Sequence, residues 1–141
     1  MTRIDFHSNV PDKIAYACRL IRKARAAKCR IVVFDSDRAQ LERLNQALWT
    51  FSEQDFLPHV MAGDPLATQT PVVLSASDDA EFPHHELLIN LTSQTPGSFA
   101  RFERMIELVS TSEQDTLSGR ERYKFYQQRG YALTHSVAKL S

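Results

Sequence analysis

The sequence predicts an α/β fold in which a mostly parallel sheet lies between two layers of helices, as a single domain spanning residues 1–141. Three observations lead to this prediction. Short apolar runs of strand length alternate with longer segments that have helical spacing. The run Ile31-Val32-Val33-Phe34 is continuously apolar, as in a strand covered on both faces. A length of 141 residues and a hydrophobic content of 43% suit one compact core.

The first half of the chain contains the signals of two strand-and-helix units and a third strand. Pro11 suits the first turn of a helix, because its missing N–H has no partner there in any case. Ser36 or Asp37 can cap a second helix with a side-chain oxygen. The predicted elements are strands at 3–7, 31–34 and 56–62 and helices at 11–27 and 38–50.

The second half contains further apolar runs, bounded by Asp, Pro, Gly and Ser. Phe99, Phe102 and Ile106 have the spacing of a helix that faces a core. Ser112 can cap a last helix, and Gly130 can end it. The predicted elements are strands at 71–75, 86–91 and 131–136, a loop at 77–85, and helices at 97–109 and 113–129.

The charge is balanced overall but uneven along the chain. Residues 1–34 have a net charge of +6, residues 35–110 of −8 and residues 111–141 of +2. A neutral total argues against tight nonspecific binding to DNA, which usually needs a basic face. The sequence has no signal-peptide pattern and no apolar run of about 18 residues, so we expect a cytoplasmic protein without a membrane span. Its two cysteines, Cys18 and Cys29, are expected to be reduced.

The glycines argue against a nucleotide cofactor. The chain has four, at positions 63, 97, 119 and 130, and they form neither a Gly-x-Gly-x-x-Gly nor a P-loop motif. Without such glycines the backbone cannot approach a phosphate group closely. No Gly-x-Ser-x-Gly motif or helical His pair indicates a hydrolase or a zinc site either. We therefore expect no cofactor and no metal.

Two alternatives remain open at this point. Asp35 and Asp37 follow a predicted strand, where α/β folds bind ligands, so they could hold Mg²⁺ in a nucleotide- or phosphate-handling enzyme. Capping of the next helix by Asp37 explains the same residues more simply. The other alternative is direct contact between single-stranded DNA and the basic N-terminal helix.

The run from Arg120 to Tyr126 combines cations with aromatic rings on one predicted helix. Arg120, Lys124 and Gln127 fall along one stripe, and Tyr123 lies beside it. Such a stripe can bind a carboxylate or phosphate next to an apolar surface for a ring. The competing interpretation is an amphipathic helix that buries Tyr123 and Tyr126 and exposes its charges to water.

An ordered set of short motifs along nearly the whole chain resembles the chi subunit family of bacterial DNA polymerase III. The motifs are Ala47-Leu48-Trp49, Phe56-x-Pro58-His59 with Ala62-Gly63, Leu88-Ile89-x-Leu91, and Arg120-Glu121-Arg122-Tyr123-Lys124 with Tyr126 and Gly130. Each motif alone is weak, but their order and spacing are fairly specific.

The resemblance implies a Rossmann-like fold and an accessory subunit of the clamp-loader complex that has no catalytic activity. It also implies two protein partners. One is the psi subunit, and the other is the acidic C-terminal tail of single-stranded DNA-binding protein, which ends in Pro-Phe with a free carboxylate. Contact with DNA would then be indirect.

The resemblance further implies residues for binding the tail. Arg120 matches the arginine that takes the terminal carboxylate, and Lys124 can meet the tail's aspartates. Residues that match positions at or beside the pocket for the terminal Phe are Trp49, Phe56, Val109 and Tyr123. Two residues depart from the family pattern, since Thr116 and Gln127 stand where basic residues are expected. We therefore expect a less basic pocket with weaker, less salt-sensitive tail binding.

Overall fold

The computed structural model describes residues 1–50, 58–78 and 81–138, and its strands and helices alternate along the chain. The strands are β1 Arg3–Val10, β2 Ile31–Phe34, β3 His59–Met61, β4 Val72–Ser75, β5 Leu87–Asn90, β6 Arg104–Ser110 and β7 Leu133–Val137. The helices are α1 Lys13–Ala26, α2 Arg38–Thr50 and α3 Glu113–Gln128, with short 3₁₀ helices at Ala67–Gln69 and Phe99–Arg101.

The strands form one sheet in the order β3-β4-β2-β5-β6-β1-β7, and every neighbouring pair in it is parallel. This confirms the predicted α/β fold class, with a Rossmann-like arrangement of helices around a parallel sheet. No helix of the described residues is long and apolar enough to cross a membrane.

The helices cover both faces of the sheet. The helices α1 and α2 pack on one face, where their buried side chains include Ala17, Ile21, Leu41, Leu44 and Leu48. The helix α3 packs on the other face, where Tyr126 contacts a core that includes Ile4, Phe6, Val32, Leu88 and Met105. A parallel sheet needs such cover on both sides, because its apolar side chains alternate between the two faces.

Side-chain oxygens begin the three helices. Asp12 Oδ1 accepts hydrogen bonds from the first N–H groups of α1, and Asp37 Oδ1 does the same for α2. Ser112 Oγ accepts the N–H of Asp115 at the start of α3, as predicted. Each bond satisfies an N–H that has no partner within its helix.

The predicted helix at 97–109 is wrong. The structure has a 3₁₀ turn at Phe99–Arg101 followed by the strand β6, which pairs with β5 and with β1. The side chains of Ile106 and Leu108 enter one core and those of Met105 and Val109 the other, so the strand shows no alternation of apolar and polar residues. Glu107 interrupts what would otherwise be a continuous apolar run. The spacing of the apolar residues therefore matches that of a helix, although the segment is a strand.

Smaller differences concern element ends. The strand β1 extends to Val10, beyond the predicted residue 7. Of the predicted strand at 56–62, the structure has β3 at His59–Met61, while residues 56 and 57 lie outside the described residues.

Both cysteines are free thiols, and burial raises the pKa of Cys18 to about 11, so this thiol is unreactive near neutral pH.

The buried carboxylate of Glu107 connects α3 to the sheet. Glu107 and Tyr126 are fully buried, and Arg122 is 4% exposed. Glu107 Oε2 accepts hydrogen bonds from Arg122 Nε at 3.1 Å and from the Tyr126 hydroxyl at 2.6 Å. Its Oε1 accepts one from Asn90 Nδ2 at 2.7 Å. Burial raises the pKa of Glu107, and these three donors oppose that rise.

This network fixes the rotation of α3 about its axis. Arg122 and Tyr126 are four residues apart and therefore lie on the same side of the helix, toward Glu107. Arg122 Nη1 also donates to the Ser93 carbonyl at 2.8 Å and to Ser118 Oγ at 2.6 Å. With this side held against the sheet, the stripe that contains Arg120 and Lys124 must lie on another side.

We predict that Arg122→Met destabilises the protein strongly. The change leaves Glu107 buried without its cationic partner, and removal of one partner of a buried ion pair costs about 3–5 kcal/mol of unfolding free energy. Urea denaturation followed by far-UV circular dichroism measures the loss.

The matched control is Arg101→Met, which removes the same charge from an exposed position. We expect a change below about 0.5 kcal/mol there. A loss in Arg122→Met as small as in this control would show that the network does not hold α3 in place.

Candidate functional site

A groove lies on the α3 face of the sheet, between α3 and the strands β1 and β7. It encloses a cavity of about 450 Å³, which lies within the roughly 300–1,000 Å³ range of ligand pockets. Its lining residues are Phe6, Ser8, Val109, Thr116, Gly119, Arg120, Tyr123, Lys124, Gln127 and His135. We call this the α3 groove.

The floor of the α3 groove is apolar. The Phe6 and Tyr123 rings meet edge to face, with centroids 5.2 Å apart and an interplanar angle of 62°. Val109 is 4% exposed and lies beside Gly119. An edge-to-face pair presents ring surface on which a further aromatic group can pack.

The rim of the α3 groove is cationic. Arg120 and Lys124 are exposed, and no acidic side chain is among the described residues that line the groove. Within the described residues, neither cation forms an ion pair. Gln127 adds an exposed amide that can donate hydrogen bonds. The groove therefore places donors for an anion next to a surface for a ring.

Gly119 explains how α3 comes so close to the sheet at this point. A Cβ atom at position 119 would lie 2.8 Å from Val109 Cγ2 and 3.0 Å from Val109 Cγ1. Any larger residue would push α3 away from β6 or displace Val109. Glycine is a poor helix former, and close packing against Val109 explains its presence within α3.

The structure brings most of the sequence-predicted tail residues together. Val109, Arg120, Tyr123, Lys124 and Gln127 all line the α3 groove. Thr116 lines it as well, and its hydroxyl donates to the Ser112 carbonyl at 2.8 Å.

Trp49 is not part of this groove. It lies near the end of α2, which packs on the opposite face of the sheet, and its side chain is 51% exposed. Its ring contacts that of His59 in β3, with centroids 4.5 Å apart, at the far edge of the sheet from β7. Phe56 lies outside the described residues.

Sequence reasoning did not assign Gly119 of α3 to the site, and it missed Phe6, Ser8 and His135 on the two strands. The parallel pairing of β1 with β7 brings them together, since Phe6 lies opposite His135 in the sheet register. More than 120 residues separate the two strands along the chain, and no local pattern predicts which strands become neighbours.

The aspartates after β2 have structural roles. Asp37 caps α2, and Asp35 Oδ1 accepts the Asp37 N–H at 2.9 Å. Burial raises the pKa of Asp35, which disfavours its ionised form. The described residues contain no group of three or more His, Cys, Asp or Glu side chains that could hold a metal ion. The enzyme alternative thus gains no support from these residues.

Comparison with known proteins identifies chains that are similar along most of the length. The family model of the DNA polymerase III chi subunit, HolC, matches residues 1–134. The chain is 33% identical over 137 residues to DNA polymerase III subunit chi of Pseudomonas aeruginosa, covering 94% of each chain. It is 25% identical over 122 residues to the chi subunit of Escherichia coli, covering 86% of this chain and 83% of that one. The chi subunit of Haemophilus influenzae is also 25% identical, over 118 residues, covering 84% of this chain and 82% of that one.

We predict that Gly119→Ala destabilises the protein, although alanine favours a helix over glycine by roughly 1 kcal/mol. The added methyl group would meet Val109 in a packed site, and overpacking of this kind costs about 1–3 kcal/mol. Urea denaturation of the variant measures the change in unfolding free energy.

Val109→Ala provides the matching background, because it removes both atoms that the new methyl group would meet. In that background we expect Gly119→Ala to be neutral or stabilising. Stabilisation by Gly119→Ala in the wild-type background would contradict the account of close packing.

Proposed function

This chain belongs to the DNA polymerase III chi subunit family, and we propose that it links the clamp-loader complex, through the psi subunit, to the acidic C-terminal tail of single-stranded DNA-binding protein. It is an accessory subunit in DNA replication. The observation that carries the tail proposal is the α3 groove, where two exposed cations adjoin an apolar floor and the part of the chain that the structure describes contributes no acidic lining residue.

The chemistry of the tail fits the chemistry of the groove. The terminal Phe ring packs on the floor formed by Phe6, Tyr123 and Val109. Its α-carboxylate pairs with Arg120, whose planar guanidinium can bind both oxygens at once. Lys124 lies one turn further along α3 and meets the aspartates that precede the terminal Pro-Phe.

The expected affinity is modest. A charge-assisted hydrogen bond contributes about 1.5–3 kcal/mol, and burial of a Phe side chain contributes a similar amount. Ordering a flexible tail opposes both terms. Thr116 adds no charge to the rim. We expect micromolar dissociation constants, and we expect binding to weaken as the salt concentration rises.

The second partner, psi, connects the subunit to the clamp loader. For the subunit to bridge two proteins at once, the surface that contacts psi must be separate from the α3 groove. A tagged chain incubated with extract of its native cell should recover clamp-loader subunits, identified by mass spectrometry. Arg120→Ala should keep those subunits and lose single-stranded DNA-binding protein. Recovery of neither protein would contradict the bridging role.

We predict that Arg120→Ala weakens binding of an acidic peptide ending in Pro-Phe by about tenfold or more. Amidation of the peptide's terminal carboxylate should weaken binding to the wild type by a similar factor, since it removes the partner of Arg120. In Arg120→Ala, amidation should have little further effect. Fluorescence anisotropy with labelled peptides measures all four affinities.

The matched control is Arg129→Ala, at the C-terminal cap of α3 and one turn after Phe125, where the guanidinium lies 3.6 Å from the Phe125 ring centre. It loses the same charge outside the groove and should bind as the wild type does. Equal binding of the free and amidated peptides by the wild type would rule out anchoring of the carboxylate.

A further inference from the structure

A histidine lies in the wall of the α3 groove that is opposite α3. His135 lies in the edge strand β7, is exposed and lines the cavity together with Arg120 and Lys124. No other titratable side chain of β7 is present, because this strand reads Leu-Thr-His-Ser-Val. The groove therefore has basic side chains on both of its long sides.

A hydrogen bond to Ser8 holds the imidazole in place. His135 Nε2 lies 2.6 Å from Ser8 Oγ in the neighbouring strand β1. A hydroxyl can accept or donate, so this hydrogen bond persists in both charge states of the ring. Nδ1 has no hydrogen-bond partner within the described residues. One ring nitrogen is thus fixed, and the other remains available to a ligand.

We propose that His135 is a third cationic contact for the acidic ligand of the α3 groove and becomes protonated as that ligand binds. This inference rests on the proposed tail function and adds a pH dependence to it. Histidine in ordinary surroundings changes charge between about pH 5 and pH 8. A ligand that binds the imidazolium better than the neutral ring causes the histidine to take up a proton on binding. Its affinity therefore rises as the pH falls through that range.

The charged neighbours of His135 favour the same direction of pH dependence, namely tighter ligand binding at lower pH. From α3, Arg120 and Lys124 face the same cavity and repel an imidazolium while the groove is empty. The carboxylates of a bound ligand offset this repulsion. On β1, the nearest carboxylate is that of Asp5, which Arg104 Nε and Thr134 already engage.

The other nearby histidine has different surroundings. His7 lies on the opposite side of β1, where Nδ1 hydrogen-bonds the Tyr16 hydroxyl and burial lowers its pKa. Burial thus disfavours the charged form of His7, whereas His135 is exposed. Tyr123 also lines the groove, from the α3 side.

The test measures peptide affinity by isothermal titration calorimetry at about pH 8 and about pH 6, which bracket the ordinary histidine transition. Ionic strength is held constant, and the peptide is the acidic one that ends in Pro-Phe. We expect the wild type to bind about three- to fivefold tighter at the lower pH, because one exposed ion pair changes the affinity by about this factor. Two buffers of different ionisation enthalpy should also reveal proton uptake.

His135→Gln keeps a polar side chain that cannot become charged. It should bind nearly as the wild type does at the higher pH and should show neither tightening nor proton uptake. His7→Gln, which is outside the groove, should retain both. Wild-type pH dependence in His135→Gln would overturn the inference.

The outcomes also separate this inference from the proposed function. Binding that depends on Arg120 but is independent of pH would contradict the role of His135 and leave tail binding intact. A wild type that binds no acidic peptide at either pH would contradict both.

Discussion

The ion pair of Glu107 and Arg122 is the interaction on which the rest of the groove depends. Glu107 lies in β6, between two other strands, and its charge is fully buried. A carboxylate in such a place is tolerated only with dedicated donors, which α3 supplies through Arg122 and Tyr126. The strand thus determines which side of α3 faces the sheet, and the remaining sides follow from helical geometry.

The α3 groove results from that constraint combined with two others. Gly119 lets α3 approach Val109 closely, which places the groove floor at the helix edge. The parallel pairing of β1 with β7 supplies the opposite wall, including Ser8 and His135. Cations then project over an apolar floor because Arg120 and Lys124 lie away from the buried side of α3. In this account the binding chemistry is a direct consequence of how the helix packs.

The sequence predicted much of the fold and part of the groove. The helices α2 and α3 were predicted because each combines helical spacing with a capping side chain, and α1 because its helical spacing follows a proline. The strand β6 was missed because Glu107 interrupts its apolar run, and only its tertiary partners on α3 and β5 explain that residue. Arg122 could not be told from Arg120 by residue type, although one is buried and the other exposed. The amphipathic interpretation was correct for Tyr126, which is buried, while Tyr123 is half-buried and lines the groove.

The most direct test of the central claim is a map of the residues that respond to the tail peptide. Backbone amide chemical shifts of the isotope-labelled chain can be followed by NMR while the acidic peptide ending in Pro-Phe is added. We expect the changes to cluster at 6–8, 109, 116–127 and 135, which surround the α3 groove. Changes centred on Trp49 and β3, with the α3 groove unaffected, would contradict the account.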